Sequence, residues 1–189
     1  MTRPERAALT RSELLEAAER HFYRDGYHGT SLEAVAEEAG YSKGAVYSAF
    51  DNKAGLFLAL LDVIIDRRLE EIATLFDRYQ PGQTRLATLA ERPTEERHQQ
   101  WFLLTIEFLT HAAREPGLLD QVAARYRRVR AGLAQLGSET STPLGAANWA
   151  IVTLALANGL ALERLIDPDG VPDDLMARTQ RLLYPPRTT

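Results

Sequence analysis

The chain contains no cysteine. That excludes disulfides, thiolate metal sites and a cysteine redox sensor, and it removes one argument for export. Lysine is nearly absent as well: of 22 basic residues only Lys43 and Lys53 are lysines. The N-terminal stretch MTRPERAALTRSELLEAAER lacks the apolar run of a signal peptide, which points to the cytoplasm. No segment reads convincingly as a strand, so the expected class is all-α, with about nine helices. Positive charge is not in excess. The 189 residues carry a net charge of −4, and the first 53 hold seven Lys/Arg against nine Asp/Glu, or −2. A nucleic-acid role must therefore rest on where the charges sit.

The composition is 45% hydrophobic and 25% charged, enough to bury a real core. Arg3 to Leu9 reads as a mobile arm; a frayed, solvated terminus is the expected form, and reach of Arg3 and Arg6 to a DNA backbone or minor groove is the alternative. Thr10-Arg11-Ser12-Glu13 reads as a capping box opening a helix with Leu14, Ala17, Ala18, His21 and Phe22 on one side. Gly26 ends that helix, and Tyr27 can fold back onto its last turn.

Two very short helices follow. Thr30-Ser31-Leu32-Glu33 fits a second capping box, and Leu32, Val35, Ala36 and Ala39 mark one apolar face. Gly40 stops this helix, and Ser42 can cap another from Lys43 to about Ser48. Helix, glycine-containing turn, helix is the pattern of a helix-turn-helix, whose second helix enters a DNA major groove. Both lysines begin predicted helices, where their charge opposes the helix dipole. Chance placement and a role facing phosphates, where a flexible point charge is useful, stand as equal readings.

Asp51 or Asn52 caps a helix from Lys53 to about Asp77, long enough to span ~37 Å. Tyr79 to Glu95, with Pro81, Gly82 and Pro93, reads as the least ordered part, with one short helix near Arg85–Glu91. Further helices are expected over Glu95–Arg114, Leu118–Leu136, Leu144–Ile166 and Asp173–Leu183, with GSETSTP (Gly137 to Pro143) a loop and PPRTT a tail. The exposed run Arg125, Arg127, Arg128 and Arg130 reads as a solvated, salt-bridged surface.

The uncharged run Thr140 to Leu162 is long enough to raise a membrane span. Asn148, Thr153, Asn158 and several Gly and Ala dilute it, and no basic flank accompanies it, so no membrane is expected. A partner subunit covering one side would bury it. Helices of about 144–166 and 173–183 are the expected homodimer interface, with a plain intrachain core helix as the alternative. Trp101, Thr105, Phe108 and His111, with Tyr126, Trp149 and Asn158, have the make-up of a small-molecule pocket between helices; an aromatic stripe at this spacing equally makes plain core. His21, His28, His98 and His111 have no metal-binding spacing. There is no G-x-S-x-G and no phosphate-cradling glycine loop, so neither an enzyme nor a cofactor is expected.

FYRDGYHGTS (Phe22 to Ser31), AEEAGYSKGAVYSAF (Ala36 to Phe50) and NKAGLF (Asn52 to Phe57) together resemble the DNA-binding domain of the TetR family of transcriptional repressors. The shared positions are Phe22, Gly26, Tyr27, Thr30, Ala36, Ala39, Gly40, Ser42, Gly44, Tyr47, Phe50, Lys53 and Leu56. Two positions depart from the family pattern: Tyr41 replaces a small aliphatic residue, and Ala49 stands where His is frequent.

The resemblance implies a three-helix DNA-binding head at residues 1–53 and a ligand-binding and dimerisation domain at 54–189. It implies a homodimeric repressor released from a palindromic operator by a small apolar or aromatic effector, through tilting of the fourth helix. A DNA-binding dimer without a small-molecule ligand is the alternative. By position, Thr30, Ser31, Ser42, Lys43, Gly44, Ala45, Tyr47, Ser48 and Lys53 are the implied DNA contacts.

Overall fold

The computed structural model describes residues 2–78, 96–137 and 144–183. Eight helices and no strand occur among the described residues: α1 (Arg3–Gly29), α2 (Leu32–Glu38), α3 (Lys43–Phe50), α4 (Lys53–Arg78), α5 (Glu96–Ala112), α6 (Leu118–Gly137), α7 (Gly145–Ile166) and α8 (Leu175–Leu183). The all-α reading is right. The expected short helix near Arg85–Glu91, most of the GSETSTP loop and the PPRTT tail lie outside the described residues.

The chain packs as two compact units. One is Met1–Ile65 with Leu103–Val122; the other is Asp66–Phe102 with Ala123–Thr189. The first unit extends past Lys53 because the start of α4 belongs to its core. Leu56, Phe57, Leu58, Ala59, Leu60 and Leu61 are all buried, as are Ile64 and Ile65.

The N-terminal arm is a correction. Arg3 to Leu9 is the first part of α1. Thr2 caps it, accepting from the Glu5 N–H at 3.4 Å, while the Glu5 carboxylate accepts from the Thr2 N–H at 2.6 Å. The capping box is thus Thr2–Glu5, and Thr10–Glu13 lies inside the helix. Gly26 breaks α1 as expected, with φ 72° and ψ 177°.

Leu14, Ala17, Ala18 and Phe22 of α1, Leu32, Val35 and Ala36 of α2, and Val46 and Phe50 of α3 are all buried. An aromatic cluster continues from this core. Phe22, Tyr27, Phe57 and Phe108 have ring centroids 4.2 to 6.0 Å apart, mostly edge-on or tilted. Full burial of one such ring stabilises by about 1.5–3 kcal/mol, and each favourable ring pair adds about 0.5–1.5 kcal/mol. Truncating either Phe22 or Phe57 to alanine is expected to leave a cavity in this core and cost about 3–5 kcal/mol.

In the second unit, Trp149, Ala150 and Leu133 form a buried cluster, with Ile72, Val129, Ala134 and Leu154 against it. Gln180 of α8 donates its Nε2 to Thr153 Oγ1 of α7 at 3.2 Å, satisfying one buried polar group with another. Arg128 pairs with Asp66, in keeping with a salt-bridged surface for the arginine run. Of α7 only Trp149, Ala150 and Thr153, all in its first half, are buried. Ile151, Val152, Leu162, Leu165 and Ile166 on α7, with Leu182 on α8, are exposed. By length and composition α7 could also cross a membrane.

Candidate nucleic-acid interface

The head is built by short-range capping. Ser31, not Thr30, caps α2, accepting from the Ala34 N–H at 3.1 Å. Thr30 is 3% exposed, and its hydroxyl donates to the Gly26 carbonyl at 2.8 Å. This corrects the expectation that its side chain reaches a phosphate: the Gly26 turn leaves a carbonyl that Thr30 satisfies.

The turn between α2 and α3 closes as a Schellman motif. The Tyr41 N–H donates to Ala36 O at 2.8 Å and the Gly40 N–H to Glu37 O at 3.1 Å, with Gly40 at φ 74°. Tyr41, the larger residue in this turn, donates its hydroxyl to a carboxylate oxygen of Glu13 on α1. The departure from the family pattern therefore ties the turn to α1.

Ser42 caps α3, accepting from the Ala45 N–H at 3.3 Å. Val46 and Phe50 point into the core, which leaves Ser42, Lys43, Gly44, Tyr47 and Ser48 exposed and Ala45 half-buried. Tyr47 is 42% exposed, so its ring is not core packing. At the end of α3, Arg11 donates Nη1 to Ala49 O at 2.6 Å and lays its guanidinium 4.3 Å from the Phe50 ring centroid.

The two lysines have different surroundings. Lys43 is exposed and pairs with Glu33 of α2; this bond holds the Glu33 carboxyl below its ordinary pKa and raises that of Lys43. Its ammonium lies 5.6 Å from the Tyr47 ring centroid. Lys53 is half-buried. Its Nζ donates to His28 O at 3.2 Å and Thr30 O at 3.1 Å and sits 4.9 Å from the Tyr27 ring centroid. Both acceptors are neutral, and burial lowers its pKa. An ammonium has three N–H donors, so two such bonds leave one for a phosphate.

Asp51 and Asn52 divide the junction between α3 and α4. Asp51 has φ 62° and ψ −53°, and the Asn52 N–H donates across it to Phe50 O at 2.6 Å. This is a γ-turn of the strained, positive-φ kind. Asn52 is the α4 cap, its side-chain oxygen accepting from the Gly55 N–H at 2.8 Å.

Of the residues expected around an effector, Thr105, Phe108 and His111 belong to the first unit; Trp101, Tyr126, Trp149 and Asn158 belong to the second. Phe108 and His111 come together against Tyr27, with centroids 5.0 and 5.1 Å from its ring. Phe108 is 1% and Trp149 0% exposed, so both are close-packed core. Thr105, Tyr126 and Asn158 are half-buried, and burial raises the Tyr126 pKa. The first unit has an open cleft of about 670 Å³, whose walls include Tyr27, His28, Lys53, His111 and Glu115. Among the seven residues, only His111 lines it.

Two family models match the chain. One, described as bacterial regulatory proteins of the tetR family, covers residues 14–60; the other, described as the C-terminal part of a BetI-type transcriptional repressor, covers 83–182. The chain belongs to the TetR family. TetR-family proteins are transcriptional regulators and not enzymes. The head is 52% identical over 58 residues to the HTH-type transcriptional regulator TtgR of Pseudomonas putida, an alignment covering 31% of this chain and 28% of TtgR. A TetR-family regulator from Mesorhizobium loti shares the fold with a TM-score of 0.73 at 21% identity, covering 97% of this chain and 99% of that one. A regulator from Saccharomonospora viridis, solved in complex with choline, has a TM-score of 0.69 at 21% identity, covering 91% and 93%.

One residue of this unit had no local signal. Glu107 of α5 accepts from the Tyr27 N–H at 2.8 Å across a separation of 80 residues. Neither capping nor periodicity connects positions so far apart.

Proposed function

We propose that the chain is a homodimeric repressor that reads a palindromic operator and is released by a small apolar or aromatic effector. Residues 1–53 act as the reading head and 54–189 carry dimerisation and ligand binding. The observation that carries the DNA-binding part is the two-sidedness of α3. Val46 and Phe50 anchor one side in the core, and Ser42, Lys43, Gly44, Tyr47 and Ser48 are exposed on the other. An eight-residue helix fixed on one side and capped at its start suits insertion into a major groove.

In this reading Ser31, Ser42, Tyr47 and Ser48 contact backbone or base edges, Gly44 and Ala45 allow close approach, and Lys43 and Lys53 take phosphates. Short side chains at the leading end make few bidentate base contacts. Much of the affinity is then electrostatic and salt-dependent. Thr30 acts by positioning the α1–α2 corner. The exposed apolar side chains of α7, together with Leu182 of α8, support dimerisation, since a two-fold axis would cover both copies at once.

Gel retardation and footprinting on the DNA upstream of its own gene test this reading. Two protected half-sites, about one helical turn apart between centres, are expected. No retardation would overturn it and favour a helical protein using the head as a protein-contact module. The close packing of Phe108 and Trp149 favours one variant reading, a DNA-binding dimer with no small-molecule ligand. A thermal-shift panel of apolar compounds separates the two: an effector raises the transition in proportion to the logarithm of its concentration.

A further inference from the structure

We propose that Glu107 is a positioning residue for DNA binding, holding the Gly26–Thr30 corner in the shape that presents Lys53. This rests on the reading of Lys53 as a phosphate contact.

Gly26 has φ 72° and ψ 177°, so the peptide that follows leaves the helical direction. The Tyr27 N–H instead donates to Glu107 Oε2 at 2.8 Å. Tyr27 is 2% exposed, so its amide sits where an unpaired donor would be costly. The carboxylate fits there because residue 26 has no side chain. A Cβ on Gly26 would lie 2.8 and 3.0 Å from the two carboxylate oxygens. Gly26 thus supplies both the turn and the space.

The held corner is also the seat of Lys53. Thr30 ties back to Gly26 O through its hydroxyl at 2.8 Å and its N–H at 3.3 Å. The carbonyls of His28 and Thr30 are the two acceptors of the Lys53 ammonium, and the Tyr27 ring lies beneath it. Phe108 and His111, one and four residues beyond Glu107 on α5, pack on that same ring. A shift of α5 therefore moves Tyr27 and the acceptors of Lys53 as one body. Without the carboxylate, the corner loses its long-range hydrogen bond, the two carbonyls lose their register, and Lys53 is no longer held toward a phosphate.

The test uses the full chain and a mixed-sequence DNA duplex, with binding followed by fluorescence anisotropy across a salt series. Glu107→Ala is expected to weaken binding about tenfold and to lower the slope of log K against log salt by about 0.9, the value for one lost phosphate contact. Glu107→Asp keeps the charge but is one methylene short, and is expected to show the same loss. Glu107→Gln keeps an acceptor oxygen and is expected to retain wild-type slope and affinity. Combining Glu107→Ala with Lys53→Ala is expected to cost no more than Lys53→Ala alone, since both act through one contact. A merely structural Glu107 would lower the melting temperature and leave the slope unchanged. That result in a folded Ala or Asp variant, or additivity in the double variant, overturns the proposal. Wild-type protein that binds no duplex would instead overturn the DNA-binding reading on which it rests.

Discussion

A Cβ on Gly55 would stand 2.1 Å from the carbonyl oxygen of Phe50. That carbonyl also accepts the Asn52 N–H across the γ-turn at Asp51, so it cannot swing away without opening the turn. Helices α3 and α4 are therefore joined by a strained corner that leaves no room for a side chain at position 55. Gly55→Ala is expected to destabilise the protein by about 1–3 kcal/mol, as overpacking of a close-packed site does. Its urea midpoint should fall, and DNA affinity should fall with it, because α3 ends at this corner.

Lys53→Ala is expected to weaken binding to every DNA sequence alike. The salt slope should drop by about 0.9, the value for one phosphate. A sequence-selective loss, or an unchanged slope, would remove Lys53 from the phosphate contacts.

Tyr27 provides a pH prediction. Burial, and secondarily the charge of Glu115, push its phenol up to about 12 from an ordinary 10.0. The folded state thus keeps a proton that the unfolded chain loses first. The stability due to the neutral phenol is fully present below pH 10 and is lost as pH rises toward about 12. While only the unfolded state is ionised, the slope approaches about −1.4 kcal/mol per pH unit. Urea midpoints measured across this alkaline range should fall with pH, and Tyr27→Phe should flatten that fall.

The proposed dimer predicts that charge on the exposed face of α7 separates the subunits. Ile151 is 46% and Leu162 42% exposed. Ile151→Glu with Leu162→Glu should give a folded monomer by light scattering and abolish two-half-site footprints. A dimer that survives both changes would place the interface elsewhere.

Much of the head was legible in the residues because its rules are local. Gly40 ends α2, Ser42 opens α3, and Val46 and Phe50 turn inward, each as spacing and capping chemistry require. At two helix starts, two local rules compete. Thr10–Glu13 has the form of a capping box, yet Thr2–Glu5 starts the helix, because Thr2, Pro4 and Glu5 form an equally good start upstream. Thr30 and Ser31 both suit a cap. Ser31 takes it because the Gly26 carbonyl claims the Thr30 hydroxyl.

The aromatic residues of α5 show the limit of periodicity. Spacing placed Phe108 on a helix face but could not say whether a ligand or Tyr27 and Phe57 would fill the space against it.

The sequence by itself determined the all-α class and the helix-turn-helix, since caps, glycine stops and 3.6-residue periodicity act within a few positions; the family came from the resemblance of its motifs, not from those rules. Only the tertiary structure decided that Thr30 is buried, that Lys53 rests on two carbonyls, and that Glu107 holds the Tyr27 amide. Those facts depend on groups brought together from up to 80 residues apart. Such pairings arise from packing the whole unit, and no local propensity encodes them.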